Sequence, residues 1–190
     1  MHKSTKLLII IIAITFLIPI LSLVLPAAGS DESVPHKVYF ALHILGVVLF
    51  LGNIIITGLW MFIAEKSKTI SVMQFAAKAV NWMDVFFTAP GVAMLLLGGL
   101  MLAPSHGGLY SKSWITVGLI LFSLSGIVWL LFLVPNQHRM ITLSENNMVK
   151  NGKLPNEFFK VLYRWYFWGI VATILPLITF VIMIFKPKFW

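Results

Sequence analysis

The chain has 190 residues, 59% of them hydrophobic and 11% charged, with a formal net charge of +8, a mean hydropathy of +0.96 and no cysteine. A soluble domain carries about 25% charged residues, so this composition excludes a water-soluble fold. The lack of cysteine excludes disulfides, thiol redox centres, thiolate-bound zinc and iron–sulfur clusters.

Five apolar stretches, about Leu7–Leu25, Val38–Ile63, Val85–Leu102, Trp114–Val134 and Phe158–Phe185, fill most of the chain. Each is long enough to cross a ~30 Å hydrocarbon core as a helix rising ~1.5 Å per residue. The expected fold is an all-α polytopic bundle of about five transmembrane helices in the cell membrane. The segments between spans are too short to hold a separate core, so residues 31–190 are expected to form one four-helix membrane core behind an anchor and outer linker over residues 1–30.

The first stretch follows Lys3 and Lys6 and ends at Pro26-Ala27-Ala28-Gly29, a layout shared with signal peptides. Its apolar run of 19 residues exceeds the usual ~7–15, which favours a retained signal anchor. Cleavage would leave four spans. With the N-terminus inside, the inner segments hold ten Lys and Arg residues and the outer segments four (Lys37, Lys112, Lys186 and Lys188). That asymmetry follows the positive-inside rule and places the C-terminus outside. The basic charge is thus read as topogenic, with the lipid bilayer rather than nucleic acid as its partner.

Within the second stretch, steps of three and four residues give His43, Gly46, Phe50, Asn53, Thr57 and Trp60 on one stripe. Small and polar residues there should face other helices. Ile70–Asp84 is amphipathic and either lies at the inner interface or continues into the third span. The same spacing in the third gives Asn81, Asp84, Thr88, Gly91, Leu95 and Gly98, with Pro90 expected to bend the helix. The fourth gives Gly118, Phe122, Ser125 and Trp129 and leads into Pro135-Asn136-Gln137-His138-Arg139. Asn156 is the expected N-cap of the last span, whose stripe is Tyr166, Gly169, Thr173, Pro176 and Phe180. Gly91, Gly98 and Gly169 suit either internal packing or a homodimer seam.

His43 is the first candidate for chemistry. It lies about five residues into its span, and ionisable groups in membranes default to function. A neutral imidazole can ligate haem iron, or hydrogen-bond a neighbouring helix. Haem b is the leading cofactor, with Met101 or His106 as second ligand. His36 is about 10 Å from His43 along the helix, too far to share a metal ion. Asp84 is read as an interfacial carboxylate pairing with Arg139 or Arg164, and Asn53 as interhelical glue; with Thr57 and Thr88 they make a polar seam. No phosphate loop, HExxH motif or serine elbow is present, and no Arg or Lys lies deep in a span. Two readings follow: a haem- or redox-linked membrane protein acting through His43, or a non-catalytic accessory or assembly protein in which His43 and the seam are structural.

Three segments, Leu42–Phe62, Asn81–Ala103 and Ser113–Met140, with Trp165, Trp168, Gly169, Lys186 and Pro187, resemble a bacterial family of small integral-membrane proteins of unknown function. The resemblance covers about residues 38 to 188. More distantly, the His43-Ile44-Leu45-Gly46 opening and Thr88-Ala89-Pro90 followed by Gly98 resemble the HemJ protoporphyrinogen oxidases. That likeness implies a haem-binding role at His43. HemJ also uses a lysine in the span that begins here at Trp114, where this chain has Thr116, Val117 and Gly118 and no lysine within the span. The resemblance therefore implies a His-ligated haem or another hydrophobic ligand rather than the oxidase reaction.

Overall fold

The computed structural model describes residues 6–7, 9–10, 36–145, 149 and 153–190. The first helix, α1, runs over His36–Lys66. A tight turn follows, in which Lys68 adopts the left-handed conformation (φ 54°) and its N–H bonds back to the Glu65 carbonyl at 3.1 Å. Next, α2 (Ile70–Met83), a π-helical turn (Asp84–Thr88), α3 (Ala89–Leu102) and a 3-10 turn (Ala103–His106) form one unbroken rod. A second rod combines α4 (Ser113–Val128), another π-turn (Trp129–Leu133) and α5 (Val134–Leu143). Finally, α6 covers Asn156–Phe185.

Four helical units among the described residues are long and apolar enough to cross a membrane: His36–Lys66, Ile70–His106, Ser113–Leu143 and Asn156–Phe185. The expected count of five thus becomes four. The first expected span, Leu7–Leu25, falls almost wholly outside the described residues, as does most of the 1–30 segment. Ile70–Asp84 continues into its span rather than lying on the surface, and the fourth span runs past Pro135 to Leu143. The last span begins at Asn156, with Pro155 rather than Asn156 as its cap.

Prolines explain both π-turns. Pro90 and Pro135 have no N–H and crowd the preceding turn. Each follows a widened turn in which one N–H reaches back five residues: Ala89 to the Asp84 carbonyl, and Val134 to the Trp129 carbonyl. The two π-turns therefore have an assignable cause, and the side chains of Asp84, Thr88 and Trp129 that they carry are all buried.

Glycine governs how α1 meets α3. A Cβ on Gly46 would come within 2.6 Å of the Gly91 carbonyl oxygen; one on Gly91, within 2.9 Å of the Phe50 nitrogen; one on Gly98, within 2.7 Å of the His43 nitrogen. The two backbones touch, as small residues in membrane helices permit. Gly91 and Gly98 are thereby committed to packing within the chain. The α4–α6 pair is held by Ser125 Oγ donating to the Ala172 carbonyl at 2.7 Å and by Thr179 Oγ1 near the Gly118 carbonyl at 3.4 Å. The main core gathers around Met61, Val80, Met140, Phe158 and Leu162, and a smaller one gathers Phe50, Val92, Leu96 and Phe122.

Two expected stripe positions point outward: Trp60 and Phe180 are 46% and 41% exposed. On α6 the tightly packed face keeps the expected Pro176 but otherwise uses Trp165, Ala172, Thr179 and Ile182.

Candidate functional site

Among the described residues, Asp84 lies at the centre of the most concentrated polar cluster. The rod places it 14 residues, about 21 Å, beyond Ile70. Its partner on α1, Asn53, sits 13 residues, about 20 Å, from Lys66. The carboxylate is therefore deep in the bundle, 4% exposed, and not at the interface as expected. Nor is it salt-bridged. Arg139 pairs with Glu157 on the surface, while Asp84 has neutral partners. Thr88 Oγ1 and Asn53 Nδ2 donate to its Oδ1 at 2.7 and 3.2 Å. Gln137 Nε2 and Trp129 Nε1 donate to its Oδ2 at 2.7 and 3.4 Å. Asn53 Nδ2 also reaches Thr88 Oγ1 at 2.7 Å, and Asn81 Nδ2 reaches Gln137 Oε1 at 3.3 Å. All four neighbours of the carboxylate donate and both oxygens accept, the pattern open to an ionised carboxylate.

Asn53, Thr57, Asp84 and Thr88 are thus brought together, with Thr57 donating to the Asn53 carbonyl at 2.7 Å. Gln137 and Trp129 complete the cluster, but spacing alone did not mark them as site residues. Gln137 stands behind Pro135, where the span was expected to end. Its signal was a lone amide in an otherwise apolar helical phase with Trp129, Leu133 and Met140.

The cluster forms part of the wall of a cavity of about 560 Å³, within the range of small-molecule sites. Phe50, Thr57 and Gly58 of α1, Val92 of α3, Phe122 and Ser125 of α4, and Gly169 and Thr173 of α6 contribute to the lining. Its rim carries Ile55, Leu59 and Phe62 of α1 and Ile170 and Ile174 of α6, all exposed on the apolar flank of the bundle. The opening is therefore sideways, between α1 and α6, towards the acyl chains. Below the rim the two helices are tied where Tyr163 and Tyr166 donate to Glu65 at 2.9 and 3.1 Å. Gly58 and Gly169 keep the slot open: a Cβ on Gly58 would meet nothing within 4 Å, and one on Gly169 only Leu133 at 4.0 Å. The small and polar stripe of α6 is thus partly explained, since Gly169 and Thr173 border this space and Tyr166 both lines it and bonds to Glu65 of α1.

The expected haem ligands lie elsewhere. His43 is two helical turns from Phe50, the first cavity residue of α1. Its Nδ1 lies 2.7 Å from the Leu95 carbonyl, and its ring rests on Gly99, where a Cβ would come within 3.1 Å of it. In the 3-10 turn after α3, His106 meets the edge of Trp114 and bonds to Leu102 and Ser105. His36 approaches Ser105 at 3.5 Å. Met101 is half-buried at the C-terminal end of α3. None of His43, Met101 and His106 lines the cavity, and the cavity contains no His, Met or Cys to ligate iron. Its residues do not fit a haem. Among the described residues, no three His, Cys, Asp or Glu side chains are grouped to hold a metal ion.

The sequence matches the family model described as "Predicted integral membrane protein (DUF2269)" over residues 38–187. The chain belongs to this family, a multi-pass integral membrane family of unknown function. No curated protein and no solved structure matches it.

Proposed function

We propose that this member of the DUF2269 membrane family binds a hydrophobic molecule dissolved in the bilayer, admitted sideways between α1 and α6. One observation carries the reading: an apolar, laterally open cavity of about 560 Å³ with a buried carboxylate in its wall. Ligand sites are typically concave, mostly apolar and equipped with a few fixed polar groups, and an ionisable residue within a membrane is costly enough to need a role. The four donors around Asp84 hold that carboxylate in one orientation before any ligand arrives.

His43 takes the structural role in this account. It bridges α1 to α3 through the Leu95 carbonyl, outside the cavity. His43→Ala is expected to lower thermal stability by about 0.6–2 kcal/mol. Oxidised and reduced absorption spectra of protein expressed with ample haem should show no Soret band in either the parent or the variant. A Soret band lost with His43 would restore the haem reading.

The binding reading is tested by native mass spectrometry of protein released from nanodiscs, comparing the parent with Gly169→Leu. The leucine would fill the slot without displacing backbone. A retained hydrophobic molecule, lost in the variant, is expected. Equal spectra from both proteins would contradict the assignment.

A further inference from the structure

We infer that the cavity selects lipophilic cations. This rests on the binding reading above and names its ligand class. Six aromatic residues contribute to the lining: Phe50, Phe62, Phe122, Trp129, Trp165 and Tyr166. Asp84 is the sole charged residue in it, and no Lys or Arg contributes. Aromatic faces attract cations through the ring quadrupole, more strongly when water is excluded. A single carboxylate among such faces, with no basic side chain to neutralise it, supplies a counter-charge that a neutral or anionic guest cannot use.

The hydrogen bonding sharpens the class. Both oxygens of Asp84 already accept two donors each, from Thr88 and Asn53 and from Gln137 and Trp129. A guest need not bring an N–H or O–H to the carboxylate, because the remaining attraction is charge. Quaternary ammonium or phosphonium centres carried on bulky apolar groups meet that description. The lateral opening suits them too, since such ions enter the hydrocarbon region far more easily than hydrated ones. Three polar groups of the lining that would compete are occupied within the bundle: Thr57 bonds to the Asn53 carbonyl, Ser125 to the Ala172 carbonyl and Tyr166 to Glu65.

The test uses the full chain in nanodiscs and three probes of matched shape and different charge: tetraphenylphosphonium, tetraphenylmethane and tetraphenylborate. Binding is read by quenching of tryptophan fluorescence, with the filled-slot variant Gly169→Leu as the baseline for partition into lipid. Saturable binding of the phosphonium alone is expected, weakened by about tenfold or more in Asp84→Asn. If tetraphenylmethane or tetraphenylborate binds as well as the phosphonium, the charge selection is wrong while the cavity still binds hydrophobic molecules. If none of the three binds above the Gly169→Leu baseline, the binding reading falls with it. The three-probe comparison in the parent protein decides the matter even where Asp84→Asn does not fold.

Discussion

At the scale of single residues, glycines in this bundle have unequal duties. Gly46 faces the backbone of Gly91 and Leu95, which cannot yield. Gly118 faces the tip of the flexible Met183 side chain, which can. Gly46→Ala is therefore expected to destabilise by about 1–3 kcal/mol or more, and Gly118→Ala by much less. Thermal unfolding in detergent would check this ordering, and equal losses would refute it. Asp84 shows what the residue scale hides in a sequence. Its place on the seam with Asn53 and Thr88 was legible from spacing, but its depth was not. Depth depended on α2 joining α3, and the apolar count alone placed Asp84 at the membrane edge. One of its two most closely bonded partners, Gln137, lay beyond a proline and in a different span.

At the scale of elements, the stripes on α1, α2–α3 and α4 were readable because small and polar residues recur there every three or four positions. Gly46, Thr57, Asp84, Thr88, Gly91, Gly98, Gly118, Phe122 and Ser125 are all buried. The stripe on α6 meets the packing face only at Pro176, for a physical reason. Its small residues border a cavity, whereas its packing face uses Trp165, Ala172, Thr179 and Ile182. Pro90 was expected to disturb its helix, and Pro135 was placed at the end of its span. That each would sit behind a π-turn, one presenting Asp84 and Thr88 and the other Trp129, was not readable, because widened turns have no composition of their own. Such turns recur at functional sites, and here both feed one cluster.

At the scale of the whole molecule, composition alone established a multi-pass membrane protein, and the four spans after residue 36 follow the apolar stretches. A cavity between spans could not be read, since it depends on how far α1 and α6 stand apart. Orientation belongs to this scale as well. The chain has no cysteine, so single substitutions at Lys112 and Lys153 give clean labelling sites. A membrane-impermeant thiol reagent is expected to reach position 112 from outside and position 153 only after the inner face is opened. The reverse pattern would invert the bundle.

The most direct test of the lateral cavity is photolabelling in nanodiscs with a small hydrophobic diazirine, mapped by peptide mass spectrometry. The account predicts label concentrated at cavity residues such as Thr57, Gly58, Gly169 and Thr173, and lost from them in Gly169→Leu while the outward-facing Val48 and Phe185 stay labelled. Label spread evenly over all lipid-facing positions, and unchanged by the leucine, would contradict it.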